Sequence, residues 1–305
     1  MLVGLAAIVF GSSAAAVRVF LEETGSSGAV VAFAQSVIAA PLLLAAGAAS
    51  REPWPSLREA APAAFVTGGL VSGFLLSYFT AIGMVGVTIA SVVAICTAPL
   101  FTAMLAMTVL RERPSGGMLV ALALGVAGTA LVLFARDGAG AGTGGLVGGV
   151  TLSLVAGLCF GGENVAVRHL MARFDPVRLA AFTTCAMIVL LAPIALLHGG
   201  IVAASIEGWP WLLYLAAFPT ALAPALHNAG LRRLAAIPVS IVGLLEPVTA
   251  AALGLLVFEE VIGPLGAAGA GLLLVALGLL YLTQRVRPEE AFPVPAVVPS
   301  SEGSA

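Results

Sequence analysis

A carboxylate in the middle of a long apolar stretch is the group in this chain best placed to do chemistry. Glu246 lies about nine residues into the stretch 237–258, hence roughly 13 Å from its edge at 1.5 Å per residue. In a membrane-crossing helix that depth is close to the midplane. A carboxylate there costs about 2.5–3.5 kcal/mol on insertion scales, so it must face a bundle interior or a water-filled cavity. Such a group has two functional uses. It loads and releases a proton as the cavity alternates between wet and closed, or it holds a substrate amine as counter-ion. A structural use stands beside them, as hydrogen-bonded glue between two helices.

Other residues join Glu246 as candidates for a substrate pathway. Pro247 follows it directly, and Pro99 stands at the matching place 148 positions earlier. A mid-helix proline frees a carbonyl one turn upstream and kinks the helix, which either lines a cavity or is a tolerated bend. Glu163 and Asn164 form a polar pair that suits an entrance, although Glu163 is equally placed to snorkel or to pair with Arg168 on its own helix. Gln35 and Tyr78 either contact substrate or hydrogen-bond between helices. Arg18 precedes Glu22 by four residues, the spacing of a salt bridge along a helix. His227-Asn228, near Arg232 and Arg233, reads as either a cytoplasmic gate or a solvated helix end.

Several chemistries are poorly supported or excluded. The chain has no lysine, so no Walker A lysine holds a nucleotide. The two aspartates, Asp137 and Asp175, fall in loops, so no membrane-embedded aspartyl dyad forms. His169, His198 and His227 lack zinc-protease spacing, and there is no G-x-S-x-G elbow. Cys96, Cys159 and Cys185 are dispersed over different helices and read as small packing residues, not as a disulfide or metal set. No enzyme activity, metal, cofactor or nucleic-acid partner is expected.

The elements that must position these residues follow from composition. A chain 60% hydrophobic and 9% charged is not a soluble globule, where about a quarter of residues are charged. Ten apolar stretches of spanning length are expected at 2–21, 28–49, 61–81, 87–109, 116–135, 145–167, 177–197, 209–229, 237–258 and 263–283. They must be helices, because each segment in lipid satisfies its own backbone groups and no barrel-like alternation is present. The second five repeat the first five. Phe10, Gly11, Ala16, Val17 and Arg18 recur 150 positions on as Phe160, Gly161, Ala166, Val167 and Arg168. Pro99, Leu105 and Glu112 recur 148 positions on as Pro247, Leu253 and Glu260. Because each half has an odd number of spans, the second enters the membrane inverted. The expected organisation is a first five-helix repeat over 1–140, a second over 141–285, and a Pro-, Glu- and Ser-rich disordered cytoplasmic tail over 286–305.

Arginine placement orients the spans. Of the 13 arginines, all but Arg18 and Arg136 flank loops after even-numbered spans or the tail. The positive-inside rule puts those loops and both termini in the cytoplasm of a multi-pass protein of the cytoplasmic membrane. Residues 2–21 lack a basic leading segment and match the span at 152–171, so they belong to the fold and not to a cleaved signal. Trp209, Trp211 and Tyr281 sit at span ends, where aromatic side chains anchor to the interface.

The pattern resembles the EamA-type families of the drug/metabolite transporter superfamily, whose ten helices arise from a five-helix duplication. The resemblance covers residues 2 to about 283. It is carried by Thr97-Ala98-Pro99-Leu100 through Leu110-Arg111-Glu112, by Leu245-Glu246-Pro247-Val248 through Phe258-Glu259-Glu260, and by Phe-Gly pairs at 10–11 and 160–161. The family's second span often carries an arginine, and Gln35 stands in that region here. The resemblance implies a secondary exporter of a small metabolite, such as an amino acid or drug-like compound, with a pocket between the halves. An uptake carrier or a passive facilitator or channel is the alternative, though a channel would need a continuous polar lining. The expected partners are a small-molecule substrate and the lipid bilayer. Protons are a candidate coupling ion, and a homodimer is compatible with the sequence.

Overall fold

The computed structural model describes residues 2–49, 54–109, 116–134, 143–170, 173–224, 226, 245–259 and 263–285. The expectations for Arg51, Arg111, Glu112, Arg113, Asp137, His227, Asn228, Arg232, Arg233, Glu260 and the tail fall outside these residues. At Pro99 and Pro247 the description covers the backbone alone.

All regular elements among the described residues are helical. They are α1 Leu2–Thr24, α2 Gly28–Ala49, α3 Leu57–Val109, α4 Gly116–Phe134, α5 Thr143–Leu170, α6 Pro176–His198, α7 Ile201–Glu207, α8 Trp209–Leu215, α9 Leu245–Val257 and α10 Pro264–Arg285. A π-helical turn, Ala216–Leu222, extends α8. Five described helices are long and apolar enough to cross a membrane, and α7 with α8 and its π turn, bent by 91°, makes a sixth.

The sequence places a gap between stretches 61–81 and 87–109, but the structure joins them in one helical run. The break is a single residue, Gly86, at φ 82° and ψ 171°. Glycine adopts that conformation without a Cβ clash. The two arms fold back on each other there: Tyr78 Oη and Ser91 Oγ are 2.6 Å apart, whereas thirteen residues of straight helix would separate them by about 20 Å. We call them α3a, before Gly86, and α3b, after it. Pro99 lies within α3b, where the backbone stays helical.

The helices pack in pairs distant in sequence: α3 on α5, α4 on α10, α2 on α6 and α1 on α9. Small residues set the closeness of these pairs, as expected where lipid tails are as apolar as the side chains and contact must come from packing. A Cβ at Gly161 of α5 would come within 2.8 Å of Ala98 O and Thr102 N in α3b. At Gly128 of α4 it would meet Gly269 O of α10 at 2.8 Å. Thr67 and Thr183, with hydroxyls 2.6 Å apart and both buried, tie α3a to α6.

Candidate functional site

Glu246 is the second described residue of α9, a helix that α1 and α3 both meet. Its backbone carbonyl lies against Gly11 of α1, where a Cβ would also come within 2.8 Å of Thr249 Cβ. A larger residue at position 11 would push α1 off α9. The Glu246 carboxylate is a charge neighbour of the Tyr78 hydroxyl on α3a and the Cys96 thiol on α3b. Three elements thus converge on one acid, and Gly86 is the hinge that presents both arms of α3 to it.

Tyr78 is 4% exposed and shares a hydrogen bond with Ser91 across the α3 hairpin. Its ring stacks on Phe74 one turn earlier, with centroids 5.2 Å apart. Phe74 in turn stacks on Phe160 of α5, also at 5.2 Å. An aromatic run, Tyr78 to Phe74 to Phe160, therefore leads from α3a to α5. Sequence reading singled out Tyr78 and Glu246, and the structure brings them together. It missed Phe74, Ser91 and Cys96 as neighbours. The four-residue step from Phe74 to Tyr78 is a same-face signal visible in the sequence, but the Ser91 contact depends on the reversal at Gly86.

The other candidates lie elsewhere. Gln35 is 2% exposed in α2, and its Oε1 has no hydrogen-bond partner among the described residues. Glu163 is half-buried and Asn164 exposed on α5. Arg18 does bridge Glu22 on α1, and its guanidinium also lies over the Phe258 ring just beyond α9, 5.7 Å from the centroid. Trp211 Nε1 donates to Glu23 Oε2 at 2.9 Å. Three turns earlier on the same face of α1, Ser12 and Tyr214 share a second hydrogen bond to α8.

Arg178 is the residue whose role the sequence conceals. Counted as a loop-flanking arginine, it is 2% exposed in the first turn of α6. Its guanidinium lies 5.1 Å from the Trp54 ring centroid and donates to Gly47 O at 3.4 Å. Asp175 caps α6 by accepting from Val177 N and Arg178 N, which fixes the turn carrying the arginine.

Apolar helices of spanning length, packed around a partly buried acid, define a multi-pass membrane protein, and the comparisons state what kind. The EamA-like transporter family model matches residues 1–134 and 147–282, and the chain belongs to that family. It is 27% identical over 229 residues to the uncharacterized transporter YwfM of Bacillus subtilis (strain 168), covering 75% of each chain. A chain of known crystal structure shares the fold, with a TM-score of 0.60 and 21% identity over 94% of this chain and 98% of that one. The protein is a membrane transporter.

Proposed function

We propose that the chain is a secondary transporter that exports a small metabolite, such as an amino acid or drug-like compound, across the cytoplasmic membrane by alternating access. The residues proposed for the pathway are Glu246, Pro247, Pro99, Tyr78, Gln35, Glu163 and Asn164, with Glu246 as the binding or coupling group. The observation that carries this reading is the convergence of α1, α3 and α9 on Glu246. That site lies where residues 1–140 meet residues 141–285, the two proposed inverted five-helix repeats.

Repeat-related contacts support the two-half organisation. Gly11 packs on Glu246, Thr249 and Ala250, and Gly161 packs on Ala98, Phe101 and Thr102. Each member of one set corresponds to a member of the other at the spacings 150 and 148. The family match over two stretches of similar length, 1–134 and 147–282, agrees with a duplication. Each principal helix pair also joins one proposed half to the other. Inverted halves exchange conformations around a midplane site, which is the geometry of alternating access. Ala98 stands where symmetry would place a second acid, so the exchange is unequal at the charged group.

The test is accumulation in sealed vesicles. Uphill movement driven by a proton gradient identifies a coupled carrier, whereas equilibration alone identifies a facilitator. Glu246→Gln keeps shape and hydrogen bonding but cannot titrate. It abolishes pH-driven accumulation if Glu246 carries the proton, and mainly weakens affinity if it is a substrate counter-ion. A Gln variant with normal affinity, accumulation and pH dependence removes Glu246 from the pathway.

A further inference from the structure

Resting on that reading of the site, we infer that α8 is a hinged arm that closes one side of the pathway, latched to α1 through Tyr214 and Trp211. The seam between α1 and α8 begins next to the site. Gly11 packs on the Glu246 carbonyl, and Ser12, the next residue, shares a hydrogen bond with Tyr214. Phe20 fills the notch at Gly208, where a Cβ would come within 2.3 Å of the ring. At the end of α1, Glu23 accepts from Trp211 Nε1 at 2.9 Å. Eleven residues separate Ser12 from Glu23, so the seam runs about 16 Å from the level of the Gly11 contact to the helix end.

α8 is a short arm between two backbone breaks. It spans seven residues, Trp209–Leu215. At Gly208 the chain turns by 91° from α7, and at the other end the helix widens into the π turn Ala216–Leu222, which carries Pro219. Proline has no N–H for the helical ladder, and π turns within helices recur at functional sites. Tyr214 stacks on Phe218 of the π turn, with centroids 5.4 Å apart, which ties the latch to the hinge. α1 is held separately on its other face. Gly11 and Arg18, seven residues apart and therefore aligned, meet α9 and Phe258. That hold on the Glu246 side does not depend on α8.

The chemistry of the seam suits reversible closure. The Trp211–Glu23 bond is exposed and the Ser12–Tyr214 bond half-buried, so water replaces either partner at small net cost. The corresponding contact in the other proposed half, between α5 and α3a, is built differently. Gly162 stands 150 positions after Ser12 and packs on Leu70, Phe160 stacks on Phe74, and a Cβ at Gly73 would meet Cys159 Sγ at 2.9 Å. Rings and close backbone approach hold that pair, whereas side-chain hydrogen bonds at less buried positions hold α8 to α1.

The experiment measures thiol reactivity at Ala16→Cys in the full chain in lipid nanodiscs, with Cys96, Cys159 and Cys185 replaced by Ala and a charged methanethiosulfonate in the water on both sides. Ala16 lies between Ser12 and Phe20 on the same face of α1 and is 4% exposed, so the reagent reaches it when the seam opens. Replacing Trp211 and Tyr214 together by Phe keeps the rings, removes both bonds and should raise the rate about tenfold or more. Should that variant not fold, Tyr214→Phe alone carries the test, with a rise of about threefold or more. Thr67→Val removes the buried bond to Thr183 between α3a and α6 and should leave the rate within about twofold. An unchanged rate without the latch overturns the inference, as does an equal rise in Thr67→Val. Release of preloaded radiolabelled amino acids from proteoliposomes tests the export reading separately. A parent chain that releases none of them overturns amino-acid export, while the arm still stands or falls on the thiol rate. Normal release with an unchanged thiol rate in the double Phe variant keeps export and overturns the arm.

Discussion

Arg178 shows how one side chain changes meaning with its surroundings. In a charge count it is a marker of sidedness, yet its guanidinium is enclosed by Trp54, Gly47 and the capped first turn of α6. Gly47 has no room for a side chain here, since a Cβ would meet Trp54 Cη2 at 2.8 Å and Arg178 Cγ at 3.4 Å. The cluster joins α2, the segment before α3, and α6. Arg178→Ala should therefore destabilise the fold by about 1–3 kcal/mol, from the lost cation–aromatic contact and the stranded carbonyl. Arg178→Lys should recover only part of this, because an ammonium lacks the planar fork that spans ring and carbonyl. Thermal unfolding in detergent measures both, and an Ala variant as stable as the parent would show the cluster to be incidental.

Helices in this molecule are held by how closely their backbones approach, so predictions at this scale concern glycine. Gly161→Leu forces a side chain against Ala98 O and Thr102 N, both backbone atoms that cannot swing aside. A cost of about 1–3 kcal/mol is expected, together with lost transport as α5 moves from α3b. The comparison variant is Gly271→Ala on α10, where an added Cβ meets nothing within 4 Å and stability should stay within about 0.5 kcal/mol. If both variants unfold at the same temperature, close approach is not what holds α5 to α3b. Gly86 is a different case, because its constraint is conformational. Gly86→Val places a β-branched residue at φ 82°, costing about 1–3 kcal/mol or straightening the hairpin. Straightening separates Tyr78 from Ser91, and a cysteine pair at those two positions that still crosslinks in a Gly86→Val variant as stable as the parent would sink this account.

For the molecule as a whole, the arginine asymmetry makes a sidedness prediction. Reporters at 24, 140, 203 and 261 should lie outside, and reporters at 55, 114, 173, 232 and 290 in the cytoplasm. Two of the outer sites fall at structural turns that suit a membrane surface. Position 24 closes α1, and 203 lies in α7, between Gly199–Gly200 and the bend into α8. Val202, Ile206 and Trp209 are exposed there, an apolar surface consistent with residence at the lipid interface. If reporters at 140 and 290 score on the same side, the two halves are not inverted.

Hydrophobicity determined that this chain is helical and membrane-embedded, because segments of this length and polarity have no other stable state in a bilayer. The internal matches at 150 and 148 further exposed which residues correspond, including the isolated acid at 246 opposite Ala98. Those properties are local or periodic, so a linear string carries them. The contacts of the elements around that acid are not local. Tyr78 and Ser91 meet only because Gly86 reverses the chain, and Phe160 joins them only because small residues let α5 settle against α3. Arg178 is buried only because Trp54 and Gly47 fold over it from elements far away in sequence. Composition decides which solvent a segment enters, whereas which side chains face one another is set by backbone reversals and close packing, and these depend on the whole assembled chain.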